Sequence, residues 1–155
     1  MKKTILFILF IFTLIQFSFS QLAAGYNSDG NTLSLSFNPF SRMWAEARVN
    51  TSSYNQASWS YNDRGITQAY LMIRILSMTD ANLYAGAGAG INLLSDEEKW
   101  MSINIPVGLS ICPFTKLPDL FFTGEYNPMI IPEEGIPVIH SVSFGIRYRL
   151  IRQKS

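Results

Sequence analysis

Charge is what this sequence has least of. Only 15% of its 155 residues are Asp, Glu, Lys or Arg, against about 25% in a typical soluble domain. Twelve bases against eleven acids leave a formal charge of +1, so there is no basic excess of the kind nucleic acid requires. A single Cys, Cys112, excludes an intrachain disulfide framework and any multi-Cys metal centre, and its expected role is that of a small apolar filler. There is one His, His140. No Gly-Lys-Ser/Thr phosphate loop occurs, and Gly86, Gly88 and Gly90 alternate evenly without preceding a helical pattern, so they form no dinucleotide fingerprint. No cofactor is expected.

What the chain has instead is apolar and aromatic residues, 48% and 14% of the total. Part of that excess lies at the N-terminus. Met1-Lys2-Lys3 is basic, Ile5 to Ile15 is apolar apart from Thr13, and Ser18-Phe19-Ser20 places small residues at a cut before Gln21. These are the three regions of a secretory signal peptide. The apolar core falls short of the roughly 20 residues that a spanning helix needs. Residues 1–20 are therefore expected to be removed, leaving one domain over 21–155, and no Cys follows the cut to accept a lipid.

The rest of the chain has a period of two. Met101, Ile103, Ile105, Val107, Leu109 and Ile111 alternate with Ser102, Asn104, Pro106, Gly108, Ser110 and Cys112, a strand pattern that a helix cannot produce. The same alternation recurs between clusters of turn-forming residues. Eight strands are expected: Leu22–Asn27, Thr32–Asn38, Met43–Asn50, Gly65–Leu76, Asn82–Leu93, Trp100–Cys112, Leu120–Asn127 and Ile139–Ile151. Asp29-Gly30 would be the first hairpin turn.

Alternation alone does not say whether protein or lipid covers the apolar face. Three further features point to lipid. Several runs reach 10–13 residues, long for globular strands but suited to tilted bilayer-crossing ones of about 9–11. Gly86, Gly88, Gly90, Gly108 and Gly145 all share the polar face, where they would make room for inward rings such as Trp44, Tyr70 and Tyr84 in a narrow barrel. Compact connections also alternate with long ones, as short periplasmic turns alternate with longer external loops in outer-membrane barrels. The expected fold is an all-β, eight-stranded antiparallel up-and-down transmembrane β-barrel.

The leader, the long alternating runs, the final stretch Ser141–Leu150, Pro106-Val107-Gly108-Leu109 and Cys112-Pro113-Phe114 together resemble the small eight-stranded outer-membrane β-barrels of Gram-negative bacteria, the OmpA-barrel and OmpX-like group. The resemblance spans essentially all of Gln21–Ser155 and is one of pattern. It implies residence in the outer membrane as a monomer, contact with outer-membrane lipid and lipopolysaccharide, and insertion by the outer-membrane assembly machinery. The chain departs from the group in running past Leu150 to Ser155 instead of ending on an aromatic residue.

In this register Glu46, Arg48, Arg74, Glu125, Arg147 and Arg149 point inward, two acids against four bases. A buried charge needs a partner, so a plug of ion pairs is expected, in preference to a conducting pore; the surplus of bases leaves room for a small anion site. Trp59, Tyr61, Trp100, Tyr126 and Tyr148, with Phe40 and Phe114, sit at strand ends, where headgroup-level girdles form. Asp96, Glu97, Glu98, Glu133 and Glu134 make the outer connections acidic. They are read as solvated loops, with a divalent cation shared with lipopolysaccharide phosphates as the alternative.

Two competing functions use the same residues differently. A secreted soluble barrel binding a small apolar ligand, as lipocalins do, would need the apolar face inward. A lipid-A-modifying enzyme would need His140 with a Ser two residues away on the same face, but Val142 holds that position. No catalytic activity is expected.

Overall fold

The structure is a computed structural model of the chain; it describes residues 21–51, 66–92, 101–132 and 138–151. Residues 1–20, read above as a leader, and Trp59, Tyr61, Trp100, Asp96, Glu97, Glu98, Glu133 and Glu134 lie outside the described residues.

The strands are β1 (Leu22–Asn27), β2 (Thr32–Phe37), β3 (Met43–Asn50), β4 (Ile66–Ser77), β5 (Ala81–Asn92), β6 (Met101–Asn104), β7 (Val107–Ile111), β8 (Leu120–Tyr126), β9 (Met129–Ile130) and β10 (Val142–Ile151). Each pairs antiparallel with its neighbours. β1 pairs with both β2 and β10, and β4 pairs with β5. The sheet therefore closes on itself. β6 and β7 are two halves of one barrel strand, both paired with β5, and β9 extends the line of β8 by pairing with β6. The result is a closed eight-stranded antiparallel β-barrel. Closure removes free sheet edges from the wall.

The expected strands are present, with local differences that have physical causes. Trp100–Cys112 is not continuous, because Pro106 has no N–H to give to a ladder. The register against β5 is unchanged across Ile105-Pro106, where Gly86 N donates to Pro106 O and Ile105 N to Pro128 O. Strand two stops at Phe37, since Asn38 takes φ +57 to start the turn. The last strand begins at Val142, and Ile139 forms only an isolated bridge with Met129. Asp29-Gly30 is not a two-residue hairpin turn but part of a 3-10 turn, Asp29–Asn31, with Gly30 and Asn31 both at positive φ.

The two ends of the barrel differ. One, the turn end, carries both described chain termini and compact turns closed by Ser41 N→Asn38 O, Met78 N→Ala81 O and Leu117 N→Phe114 O bonds. The opposite end, the loop end, carries the 3-10 turn and the strand ends at Asn50, Ile66, Asn92 and Met101. There Ile131 is buried against Ile66, with Met129 and Ile139 beside them. The sequence pattern gave no sign of that cluster, which brings Ile131, just past β9, against the buried first residue of β4.

The distribution of side chains is the reverse of a water-soluble core. Ser34, Ser36, Glu46, Arg48, Asn104, Thr123, Glu125 and Arg147 are buried inside. Leu33, Leu71, Ile73, Met101, Ile103, Val142, Phe144 and Ile146 are exposed outside, Phe144 by 73%. The three expected interior aromatics, Trp44, Tyr70 and Tyr84, are buried there, clustered with Met72. Glycines on facing strands seat them. A Cβ at Gly88 would lie 2.4 Å from the Tyr70 ring, and one at Gly108 would lie 2.5 Å from that of Tyr84. The small residues of β5 and β7 are thus the negative image of the rings of β4 and β5.

Candidate functional site: a charged network across the lumen

Adjacent strands place the charged side chains of the interior, and closure brings the set together. Glu46 and Arg48 are two apart on β3, so both face inward; Glu125 arrives from β8 and Arg147 from β10. Glu46 is the hub. Its Oε1 accepts from Arg48 Nε at 2.8 Å, and its Oε2 accepts from Arg147 Nη2 at 2.7 Å, Ser36 Oγ at 3.0 Å and Trp44 Nε1 at 3.3 Å. Arg48 then spans the lumen to Glu125 through Nη1 and Nη2, at 2.5 and 2.8 Å. Tyr84 donates its hydroxyl hydrogen to Glu125 at 3.0 Å.

The network is electrically balanced, with two carboxylates and two guanidinium groups. Arg48 also lies 4.4 Å above the centre of the Tyr70 ring, a cation–π contact, and Tyr70 OH accepts from Asn127 Nδ2 at 3.0 Å. Salt bridges, aromatic rings and amides so form a continuous cross-section. An eight-stranded barrel encloses little more than its own side chains, and here they meet at the centre.

Two small chambers flank the network. The one toward the loop end is about 30 Å³ and is lined by polar groups including Asn27, Asp29, Asn50, Gln68 and Ser143. The other, toward the turn end, is about 20 Å³ and is bordered by Arg74, Arg147, Phe40, Phe121 and Ser110 among others. Each is large enough for one or two water molecules.

Of the six inward charges expected, Glu46, Arg48, Glu125 and Arg147 share the central network. The other two stand apart at the turn end, half-buried. Arg149 forms an ion pair with Asp119 at 3.4 Å, its guanidinium 3.5 Å from the centre of the Phe40 ring. Among the described residues Arg74 reaches only a backbone carbonyl, that of Pro39, at 3.3 Å. Asp119 was missed as a member of the interior set because it sits in a connection, where strand alternation carries no information.

The aromatics also divide. Tyr126 and Tyr148 are exposed on the outer wall near opposite ends, and Phe114 is exposed with its ring against Phe122. Tyr26, absent from the expected girdle, is exposed at the loop end, and its hydroxyl donates to Asn31 Oδ1 at 2.6 Å. Phe40 is not a lipid-facing girdle residue. The β2–β3 turn folds it over the lumen mouth against Phe121, with ring centres 4.9 Å apart, where stacking with Arg149 outweighs exposure.

His140 is exposed and its Nδ1 is 2.6 Å from the hydroxyl of Tyr126, the two rings stacked. The neighbouring hydroxyls are committed elsewhere: Ser141 donates to Asp29 Oδ2, and Ser143 is buried in the interior. Among the described residues no three His, Cys, Asp or Glu side chains come together as metal ligands.

The class defined by this fold and interior is a closed eight-stranded antiparallel barrel with a polar, salt-bridged lumen and an apolar outer wall. No family model, curated protein or solved structure matches the chain.

Proposed function

We propose that this protein is an integral outer-membrane barrel whose interior is plugged and whose role is structural or one of surface interaction through its loop end, without catalytic activity. The observation that carries the reading is the inside-out wall. Contiguous apolar patches on soluble monomers rarely exceed a few hundred Å², whereas this wall presents large apolar side chains on strand after strand around the barrel. A lipid phase turns that wall from a liability into the surface that holds the barrel in place.

The dimensions agree. On β4 the outward residues run from Thr67 to Ile75, and on β10 from Val142 to Leu150. Eight residues rise about 26 Å along a strand, and a tilt near 40° reduces this to an apolar band about 20 Å tall, close to the ~25 Å of outer-membrane barrels. The leader read at residues 1–20 supports export, and the pattern resemblance to OmpX-like barrels supports the same compartment and a monomeric state.

A soluble lipocalin-like carrier would need an apolar cavity, but both chambers described above are small and edged by charged groups. Cell fractionation tests the proposal. Recovery with the outer membrane, and faster gel migration of unheated than of heated samples, is expected. Recovery in a detergent-free soluble fraction would overturn it.

A further inference from the structure

We propose that the chamber at the turn end of the lumen is a binding site for one small monovalent anion of chloride size. Charge sets the demand. The carboxylates of this half are already engaged: Asp119 pairs with Arg149, and Glu46 is shared by Arg48 and Arg147. Asp80 is exposed in the β4–β5 turn. Arg74 borders the chamber without a carboxylate in ion-pair range among the described residues, and a backbone carbonyl is the hydrogen-bond partner it has. The chamber so holds one positive charge in excess of its acids.

A second observation is independent of that charge. Arg147 also lines the chamber and is 94% buried, since only 6% of its surface is exposed. Its Nη2 is taken by Glu46, but its Nε–H is buried with no hydrogen-bond partner among the described residues. A guanidinium N–H left unsatisfied in a closed interior is costly, and an anion in the chamber would accept it. Ser110 and Asn82 add polar groups to the wall, and Phe40 and Phe121 close the mouth. Arg74 shares the inward face of β4 with Tyr70 and Met72, in unbroken register with β5 as far as Tyr84, so alternation aims it into the lumen.

Size and charge select the ligand. A chamber of about 20 Å³ suits a single small ion. One negative charge neutralises Arg74, and two would overshoot.

The test uses the folded barrel in detergent, exchanged into chloride-free gluconate buffer and titrated with sodium chloride while the chloride NMR linewidth is followed. Saturable broadening is expected. Arg74→Gln should weaken binding by about tenfold or more, the loss of a charge-assisted contact, while Lys116→Gln, at an exposed position of the same end, should leave it unchanged. Broadening that does not saturate, or that is the same in Arg74→Gln, would overturn the proposal. A measurement on the unaltered chain guards against a variant that does not fold. Crystals soaked in bromide should show anomalous density between Arg74 and Arg147, and density only elsewhere would refute the site. Neither readout depends on the barrel lying in a membrane, so failure of the membrane reading would leave this result standing.

Discussion

Glu46→Gln removes one charge at nearly constant shape, and the structure sets what that costs. Arg48 keeps a second carboxylate, because Glu125 holds both of its terminal nitrogens. Arg147 does not: among the described residues its ion-pair partner is Glu46. The substitution therefore strands one buried guanidinium and weakens the bonds from Ser36 and Trp44 only slightly, since an amide oxygen still accepts. Two charge-assisted hydrogen bonds at about 1.5–3 kcal/mol each bound the loss at roughly 3–6 kcal/mol. Removing one partner of a buried pair costs about 3–5 kcal/mol by the mutational record. Both routes meet near 4 kcal/mol, a large part of a typical domain's stability. Urea unfolding in lipid vesicles, followed by tryptophan fluorescence and by the gel mobility of unheated samples, measures it. The double variant Glu46→Gln/Arg147→Met should be less destabilised than the sum of its singles by about 1–3 kcal/mol, because it removes the stranded charge as well. A cost below about 1 kcal/mol for Glu46→Gln, or strict additivity in the cycle, would refute the view that this network is a tight buried plug.

Other expected outcomes follow from the wall and the rim. Leu71 lies at the middle of the outward row of β4 and is 57% exposed; Leu71→Arg should cost about 2–4 kcal/mol in vesicles if the wall faces lipid, and almost nothing if it faces water. Gly88→Val should lower the urea midpoint by the equivalent of at least about 1–3 kcal/mol, because its Cβ would sit 2.6 Å from the Ala69 carbonyl oxygen as well as against Tyr70, and backbone cannot move aside as a flexible side chain can. His140→Ala should leave the acylation pattern of lipid A unchanged by mass spectrometry, since His140 is paired with Tyr126 and not with a Ser hydroxyl. Single-channel recordings of the unmodified barrel should show no large, stable conductance, and such a conductance would contradict the closed cross-section at Arg48.

Alternation of side chains is a local property of an extended chain, and so the sequence by itself determined most of the wall. Which residues share a face, that Gly88 and Gly108 belong with Trp44 and Tyr70, and that Glu46, Arg48, Glu125 and Arg147 point the same way all follow from a period of two. Where that period ends, sequence reasoning lost its guide: at Asn38 and Asn31, whose positive φ set the turns, and in the connections that carry Asp119 and Phe40 to the lumen mouth at the turn end.

Pairing was decided only by the tertiary structure. Arg48 meets Glu125 across 77 residues of sequence and Arg147 meets Glu46 across 101. The level at which each strand's charges stand inside the barrel depends on the stagger with which the sheet closes, a quantity set by all the strands together. Face is a matter of counting along one strand, but partnership depends on closure. That is why the same six charges could be read from the sequence as an interior set, yet only the closed barrel separates a neutral network of four from Arg149 with its own acid and Arg74 with none among the described residues.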